Sequence, residues 1–400
     1  MTQQNTLPRQ IITPVGLVCW FVLLLGWVSP IESLQAADGQ SCFVSSLPEI
    51  GKSDLRATLS TFLRSCDKYR EVGPKKLVGP GYTGPRPFLD YQQLMQICTE
   101  AKGLMLYEVG QQEMLAFLDR HFEAIKVTTD KSSALLTAYY EPSFPISSKK
   151  VVGVLDWPLY SKPDNIPSSS WLTRQAIETG EADETLRGKI LFYTDRWSAY
   201  VLHVQGSGTG VLPDGSRVRL MYSAKNGRGY SSIGRALVDR GEIPADQISM
   251  AAIKAWLADH SKSEQDALYW QNESFIFFAV DKKVRNERIG PPGAMNLDAG
   301  LTPYRSVAVD WAHYVPGLPL YVVGKLGDGQ ELRQLVIAQD RGGAITSGVR
   351  VDLFLGSGQN VADIAGSTRD EKLQLWMLRF REGHQESSTI MVDGYDQGKL

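Results

Sequence analysis

The stretch QDRGGAITSGVRVDLFLGSG, residues 339–358, sets two aspartates among glycines in a segment that is typical of β structure. Read with the two-residue period of a strand, VRVDLFL divides into an aliphatic face and a mixed face. The aliphatic face holds Val349, Val351, Leu353 and Leu355. The mixed face holds Arg350, Asp352 and Phe354. We therefore predict a strand that buries its aliphatic face in a core and points Asp352 away from that core.

The glycines at both ends of this stretch are predicted to shape the surface around the acids. Glycine adopts backbone conformations that other residues avoid, and it lets a ligand lie close to the main chain. The residues expected to form this floor are Gly342, Gly343, Gly356 and Gly358.

Two further acids follow strand-like segments. RQLVIAQD places Asp340 at the end of one strand, and SVAVD places Asp310 at the end of another. Three strands would then each present an aspartate near a terminus. Ordinary turn chemistry is the alternative explanation, because Asp and Gly are favoured where strands end. Periodicity alone does not decide between a site and a set of turns.

Composition excludes several classes of protein. The chain has 400 residues, 43% of them apolar and 22% charged, as in an ordinary globular protein of one large domain or two. A formal net charge of −2 gives no basic excess for binding nucleic acid. The five histidines are scattered without the spacing of metal ligands, so we expect neither a metal site nor a cofactor.

The N-terminus is predicted to direct export. VGLVCWFVLLLGWV, residues 15–28, is an uninterrupted apolar run preceded by Arg9. As a helix it would reach only about 21 Å, short of the roughly 30 Å hydrocarbon core of a bilayer. This favours a signal peptide within residues 1–37, cleaved near Ala36 or Ala37, over an uncleaved anchor or a buried helix. We expect a periplasmic or cell-envelope location and leave membrane association through the N-terminus open.

Cysteine usage fits an oxidising compartment. Beyond the apolar run the chain keeps Cys42, Cys66 and Cys98. Three is an odd number, so the chain can form at most one disulfide and leaves one thiol. The spacing does not tell which pair is joined.

The chain alternates between helical and β texture. Helical spacing occurs in SDLRATLSTFLRSC, with Ser53 or Asp54 as N-cap, and again in FLDYQQLMQICTEA and QQEMLAFLDRHFEAI. ALLTAYYEP starts a β segment. Between about 140 and 285, predicted strands (AYVLHVQGSG, RVRLMYS and SFIFFAV) are mixed with the helices SSIGRALVDRGE and DQISMAAIKAWLADHS. After residue 300 the chain is β-rich again, which favours one domain built from both ends with a second inserted in its middle.

Two segments of the middle region have residue types that suit sugars. VQGSG offers amide, hydroxyl and backbone groups, and YSAKNGRGY offers aromatic and amide side chains in one short turn. Tyr139 and Tyr140 alternate across a strand, so one is expected at a groove and the other in the core. Strand ends and surface turns use the same residues, which remains the alternative. The candidates are Tyr139, Tyr140, Gln205, Gly206, Ser207, Gly208, Tyr222, Lys225, Asn226 and Tyr230.

Taken in order, these motifs resemble a known family. SVAVD, AQDRGGAI, VRVDLFLGSG and the following Ala365–Gly366 are similar to the three-aspartate "3D" domain. Upstream, LTAYYEP, VQGSG, YSAKNGRGYSSIGRALVDRGEI and NESFIFF resemble the rest of the membrane-bound lytic murein transglycosylase A family. The resemblance runs from about residue 88 to 380. Any one motif is weak, and their order is specific.

The resemblance implies a mainly β fold with helices. It implies a double-psi β-barrel catalytic domain from residues 45–140 and 286–380, with N-terminal helices. Residues 141–285 would form a smaller inserted β-rich domain, with a groove between the two for glycan strands of peptidoglycan. Residues 381–400 read as a polar tail. Asp352 matches the single catalytic acid of the family, and Asp340 and Asp310 match the supporting acids.

The chain departs from the family pattern at three points of the acidic loop. Thr346 stands where a lysine is frequent, and Arg341 where a small residue or valine is usual. Asp340 and Asp352 are one residue further apart than in some members. These departures put the loop contacts in doubt more than the acid.

The implied reaction needs an unusual aspartate. In a lytic transglycosylase the C6 hydroxyl of a muramoyl residue attacks its own C1, so one acid protonates the leaving oxygen and then accepts a proton. Such an acid starts protonated, which in water at pH 7 costs an ordinary aspartate about 4 kcal/mol. Burial beside Phe354 and a second carboxylate would reduce that cost. Arg350 would oppose it, and we expect Arg350 to face substrate or solvent instead.

Two alternatives to this reading remain. The first is an inverting glycan hydrolase on the same barrel, with Asp352 as acid and Asp340 or Asp310 activating water. The second is a non-catalytic, expansin-like protein that binds or loosens the cell wall.

Overall fold

The computed structural model describes residues 35–36, 41–73, 91–128, 134–167, 170–281, 290–343, 345–358 and 361–381. Most of the predicted signal segment and the predicted polar tail after residue 381 lie outside these ranges. Within the described ranges, none of the helices combines the length and apolar character required to span a bilayer.

Three helices open the described chain. Helix α1 (Leu55–Val72) begins at Asp54, whose carboxylate accepts a hydrogen bond from the Ala57 amide at 3.0 Å, so the second of the two predicted caps is used. Helices α2 (Tyr91–Leu106) and α3 (Gln111–His121) follow. A Cys66–Cys98 disulfide joins α1 to α2 and leaves Cys42 as the free thiol. This agrees with the limit of one disulfide that the odd number of cysteines set, and the fold selects the pair.

The first strands are β1 (Gln35–Ala36), β2 (Phe122–Thr128) and β3 (Leu135–Glu141). β2 starts directly after α3, inside the stretch QQEMLAFLDRHFEAI that helical spacing predicted as helix throughout. The helix stops because Phe122 turns extended and packs in the core, while the strand pairs with the chain's last strand. Tertiary pairing overrides local propensity here.

The middle region, from Pro142 to Asp281, has its own small sheets and helices. Its strands are β4 (Ser143–Pro145), β5 (Trp157–Tyr160), β6 (Ile190–Thr194), β7 (Gly208–Val211), β8 (Arg217–Lys225) and β9 (Ile276–Val280). Its helices are α4 (Arg174–Glu178), α5 (Asp183–Leu186), α6 (Arg196–Gln205), α7 (Ile233–Asp239), α8 (Met250–Asp259) and α9 (Lys262–Tyr269). β4, β7, β8 and β9 form a four-stranded sheet, and β5 pairs with β6.

The prediction of a strand for AYVLHVQGSG is wrong. Most of that segment is helix α6, which Asp195 caps through a hydrogen bond from the Ser198 amide. The helix ends at Gly206, whose φ of +79° suits glycine. Its apolar residues are buried at helical spacing, with Ala199 and Leu202 in one cluster. The dense apolar run hid this period, so propensity suggested a strand.

The C-terminal part completes a nine-stranded sheet. It contributes β10 (Ser306–Ala308), β11 (Pro319–Lys325), β12 (Glu331–Asp340), β13 (Arg350–Ser357), helix α10 (Ala362–Ser367), β14 (Arg369–Asp370) and β15 (Gln374–Phe380). The strand order is β1-β2-β15-β11-β12-β10-β13-β3-β14. A mixed fold of helices and several sheets is therefore confirmed, with the large sheet built from both ends of the chain.

Apolar residues cover both faces of this sheet. The aliphatic side chains predicted to share one face of β13 (Val349, Val351, Leu353 and Leu355) lie together in one cluster, as expected. Phe354, on the other face, is fully buried in a second cluster with helices α1–α3.

The sheet curls so that β14 approaches β11, although they are far apart in strand order. The Lys325 amide of β11 donates to the Asp370 carboxylate of β14 at 2.8 Å. Next to it, the Gly327 amide donates to the Thr368 hydroxyl at 2.9 Å. These bonds bring strands from the two halves of the sheet together.

Candidate active site

Asp352 lies in the middle of β13 between two paired strands. It is opposite Ala308 of the antiparallel β10 and opposite Thr137 of the parallel β3. The Thr137 hydroxyl donates to Oδ1 of Asp352 at 2.8 Å. The carboxylate is therefore held on a strand, which positions a functional group more firmly than a loop does.

A β-bulge aims Asp340 at the same place. Between β10 and β12 the register shifts so that Ala308 pairs with Asp340 and Gln339 is passed over. Asp340 and Asp352 therefore flank one residue, Ala308, on the same face of the sheet. Ala308 has a short side chain, which leaves space between the two acids.

The carboxylate of Asp340 is fully engaged. The Tyr139 hydroxyl donates to Oδ2 at 2.7 Å. The Ala294 and Arg341 amides donate to Oδ1 at 2.8 Å and 2.9 Å. Asp340 thus organises the surrounding loops as well as standing beside Asp352.

The pKa values of the two acids are raised. Burial raises the pKa of Asp352 to about 6, against the opposing effects of the Thr137 hydrogen bond and the Arg350 charge; Asp340 adds a smaller upward effect. Burial also raises the pKa of Asp340, although its hydrogen bonds and the Arg341 charge oppose this shift. Arg350 therefore acts on the pKa of Asp352, but the effect of burial outweighs it.

Asp310 has the geometry of a turn residue. It lies two positions beyond β10, and its Oδ1 accepts a hydrogen bond from the Ala312 amide at 2.9 Å. Its Oδ2 lies 3.9 Å from Nε2 of His313. The neighbouring Val309 amide donates to the Asp340 carbonyl at 3.1 Å, so Asp310 sits next to the site rather than between its acids.

The end of β8 faces the acidic loops. The Lys225 ammonium lies 3.7 Å from the point where a side chain on Gly343 would begin. Tyr222 is 53% exposed, and burial of its hydroxyl raises its pKa while the Arg341 charge opposes the shift. Tyr222 and Lys225 of the middle region therefore stand opposite the loop that follows Asp340.

Tyr230, in the turn after β8, approaches the strand that carries Asp352. It is 47% exposed. Burial of its hydroxyl raises its pKa, and the Arg350 charge opposes the shift. The structure thus brings Tyr222, Lys225 and Tyr230 to the neighbourhood of Arg341 and Arg350.

Two predicted sugar contacts are buried instead. Asn226 is fully buried, and its amide donates to the Leu172 and Glu273 carbonyls and accepts from the Phe275 amide. Tyr140 packs in the core beneath the sheet, as expected for one of the two neighbouring tyrosines. Both side chains therefore pack inside the protein.

The segment Gln205–Gly208 follows helix α6. Gln205 accepts a hydrogen bond from the Tyr140 amide at 3.4 Å, so it lies near the end of β3. A side chain on Gly208 would collide with Leu202 and Phe144 at 2.8 Å, which explains that glycine by packing. Gly206 and Ser207 connect the helix to β7. Among the described residues, no hydrogen bond joins this segment to Asp340 or Asp352.

The four predicted floor glycines fall into two pairs. Gly356 and Gly358 have φ angles of +108° and +104°, which a residue with a side chain adopts only under strain. Gly342 and Gly343 do not have such angles, and Gly343 lies beside the Lys225 ammonium.

Two protein-family models match the chain. "MltA specific insert domain" matches residues 135–279, and "3D domain" matches residues 305–379. The chain belongs to the membrane-bound lytic murein transglycosylase A family. The family insert corresponds to the region with the four-stranded sheet, and the 3D match contains all three aspartates.

Curated relatives carry the family name. The protein of that name from Escherichia coli (strain K12) is 32% identical over 260 residues, which is 62% of this chain and 66% of that protein. The one from Vibrio cholerae serotype O1 is 27% identical over 248 residues, 59% of this chain and 63% of that protein. These matches span just under two thirds of the relatives' length.

Solved structures share the fold over a greater length. A membrane-bound lytic murein transglycosylase from Agrobacterium tumefaciens has 27% identity and a TM-score of 0.71, and covers 87% of this chain and 98% of its own. E. coli MltA with bound chitohexaose has 25% identity and a TM-score of 0.62, with 87% and 94% covered.

The sequence alone did not identify several residues that support the site around Asp352. Thr137 holds Asp352, and Glu141 ends the same strand fully buried. The Glu141 carboxylate takes two bonds from Arg219 of β8, at 2.7 Å and 3.1 Å, and one from Ser357 at 2.8 Å. This ion pair ties the four-stranded sheet to the strands that carry Asp352 and Thr137. The spacing of Thr137, Tyr139 and Glu141 in LLTAYYE, every second residue, was the available signal.

The described residues contain no cluster of three or more histidine, cysteine or carboxylate side chains suited to hold a metal ion.

Proposed function

We propose that this protein is a peptidoglycan lytic transglycosylase. It cleaves the β-1,4 bond between N-acetylmuramic acid and N-acetylglucosamine and forms 1,6-anhydromuramoyl products. Family membership supports this proposal, and so does the bound chitohexaose in the related E. coli structure, a β-1,4-linked N-acetylglucosamine chain.

The observation that carries the proposal is the state of Asp352. Its pKa is about 6, so a useful fraction of the free protein holds the proton near neutral pH. A bound glycan would exclude more water and raise the pKa further. Asp352 therefore acts as general acid toward the leaving glycosidic oxygen.

The same carboxylate then acts as base. After the glycosidic bond breaks, the ionised Asp352 takes the proton from the C6 hydroxyl of the muramoyl residue as that oxygen bonds to C1. Protons balance within one catalytic cycle, and no water enters the product. The nearby Asp340 carboxylate would stabilise positive charge that develops on the sugar.

The contacts of the other acids favour this reading over an inverting hydrolase. Such an enzyme needs a second carboxylate that is free to activate water. Both oxygens of Asp340 accept hydrogen bonds from protein groups, and Oδ1 of Asp310 caps a turn. A non-catalytic, expansin-like protein would bind sacculi and release no soluble fragments, which separates that alternative in the experiment below.

We propose the domain plan that the sequence predicts. The nine-stranded sheet, curled by the β11–β14 contacts, would be the double-psi β-barrel of residues 45–140 and 286–380, and residues 141–285 the inserted domain. The groove between them would take the glycan strand, with Tyr139, Tyr222, Lys225 and Tyr230 among its contacts.

We also propose that the protein works in the cell envelope. Its curated relatives are named membrane-bound, and the apolar run at residues 15–28 suits export or anchoring. Nucleic acid is not an expected partner, because the net charge is −2.

Mass spectrometry of sacculus digests tests the function. The wild type is expected to release muropeptides that lack one water relative to hydrolytic products. Asp352→Asn, which keeps size and shape, is expected to release none while folding normally. Products that contain the added water would establish a hydrolase instead, and an Asn variant with more than a few per cent of activity would exclude Asp352 as the acid.

A further inference from the structure

Three cationic side chains, each from a different element, lie near the loop and the strand that carry the two acids. Lys225 ends β8, Arg341 follows β12 and Arg350 begins β13. They come from both sides of the proposed groove, so they meet only in the folded protein.

The placement of Arg341 and Lys225 is well defined. The Arg341 guanidinium stacks over the Trp311 ring, 5.1 Å from its centroid, and the Trp311 indole N–H donates to the Asp340 carbonyl at 3.1 Å. Directly after Arg341, Gly343 lies beside the Lys225 ammonium. Lys225 and Arg341 therefore face the same short loop.

Arg350 lies on the strand that carries Asp352. It is two residues from that acid on the same strand, and its charge acts on both Asp352 and Tyr230. Arg341 and Arg350 thus each act on one of the two acids, and Lys225 lies beside the loop that follows Asp340.

These charges are unfavourable for an acid that must hold a proton, because a nearby cation favours the ionised carboxylate. Within the described residues, Lys225 and Arg341 form no ion pair with a carboxylate within 4.0 Å. Neither cation therefore serves as the ion-pair partner of a carboxylate of the protein. The presence of cations that oppose protonation of the acid is explained if these cations bind an anionic group of the substrate.

We propose that Lys225, Arg341 and Arg350 form a carboxylate-binding patch that recognises the anionic groups of a muramoyl residue. This inference rests on the proposed function and names the residues that would distinguish strands with carboxylates from neutral N-acetylglucosamine chains. A muramoyl residue carries a lactyl group, whose carboxylate is free in stripped strands, and in peptidoglycan it bears a stem peptide with carboxylates of its own. Arginine and lysine are the usual partners of such groups.

The test compares substrates that carry their carboxylates at different places, on the stem peptide or on the lactyl group. Full-length wild type, Lys225→Gln and Arg341→Gln are assayed on strands with stem peptides and on strands stripped by an amidase, which keep the lactyl carboxylate. Each variant is expected to lose about fivefold to tenfold in kcat/KM, mainly through KM, at low salt. Loss on the stripped strands alone assigns the patch to the lactyl carboxylate, and loss on the peptide-bearing strands alone assigns it to the stem peptide. Equal loss on both shows that the patch accepts either carboxylate.

Lys102→Gln, which removes an exposed charge from helix α2, is the matched control and should behave as wild type. Variants within twofold of wild type on both muramoyl substrates, with unchanged salt dependence of KM, would overturn the proposal. Inhibition by neutral N-acetylglucosamine oligosaccharides should be the same in all proteins, and a loss there equal to the loss on muramoyl strands would also overturn it.

A binding measurement separates this inference from the proposed function. Co-sedimentation with sacculi is measured for Asp352→Asn and for the same protein carrying Arg341→Gln. Weaker, less salt-sensitive binding of the double variant supports the patch even if wild type produces no anhydro products. Equal binding at low salt contradicts the patch while leaving the reaction untouched.

Discussion

Asp352→Asn should make the folded protein more stable at neutral and alkaline pH. The pKa of Asp352 in the folded state is about 6, against an ordinary value of 3.8. Between these values the folded state holds a proton that the unfolded state releases. The stability associated with the neutral acid is therefore present at low pH and is lost as the pH rises through about 6.

The size of this effect follows from the shift. A change of about two pKa units corresponds to about 3 kcal/mol of destabilisation once both states are ionised. Water reaches part of the Asp352 side chain, which reduces the figure to about 1–2 kcal/mol. Asparagine carries no charge at any pH and keeps an oxygen that can accept the Thr137 hydrogen bond. The variant should gain this amount near pH 8 and almost nothing near pH 3.5.

Thermal and urea unfolding of both proteins at several pH values measures the difference directly. The stability difference between Asp352→Asn and wild type should grow by at least 1 kcal/mol between pH 4 and pH 7, following a titration near 6. A difference that does not change with pH would refute the reasoning that burial holds Asp352 in a strained, ionised state.

Asp164→Asn is the control with the opposite sign. The Asp164 carboxylate is exposed and forms an ion pair with Lys189 at 2.8 Å, which lowers its pKa. Its contribution is present at high pH and lost at low pH, so the variant should never be more stable than wild type above pH 6. A gain there would point to a general effect of removing negative charge.

Further variants test the supporting contacts. Thr137→Val removes the hydrogen-bond donor that lowers the pKa of Asp352. The alkaline limb of the pH profile of kcat/KM, expected near pH 6, should therefore move up by about one pH unit. A limb that does not move would contradict the assignment of Asp352 as the acid. Glu141→Gln removes the bidentate partner of Arg219. It should lower the free energy of unfolding by about 2–4 kcal/mol, measured by urea denaturation, because the Glu141 side chain is fully buried and that of Arg219 is only 12% exposed. A loss below 1 kcal/mol would show that the pair does not tie the sheets. Gly356→Ala should cost about 1–3 kcal/mol in the same assay because of its φ of +108°; a stable variant would mean that the backbone there relaxes easily.

Local pattern predicted the parts of the site that lie on one strand. The two-residue period of VRVDLFL placed Val349, Val351, Leu353 and Leu355 in one cluster and Asp352 opposite them. The cap at Asp54 was also readable, because capping depends on residues within one turn. The same reasoning failed at helix α6, where a dense apolar run concealed the helical period.

Contacts between distant segments could not be predicted in this way. Thr137 lies 215 residues from Asp352, and Glu141 lies 78 residues from Arg219. Nothing in the local sequence marks Asn226 as buried, since the same residue type is common in exposed turns. The bulge that aims Asp340 depends on the register of β12 with β10, which pairing across the sheet sets.

The sequence by itself determined which side chains could do the chemistry: an acid on a strand face, glycines that free the backbone, and motifs in the order of one family. The tertiary structure alone decided how those side chains behave. A pKa reflects desolvation and the charges nearby, and both are set by segments brought together from far along the chain. Burial by the sheet and the helices packed on it, with β3 alongside, raises the pKa of Asp352 to about 6, a value that no local stretch of residues encodes.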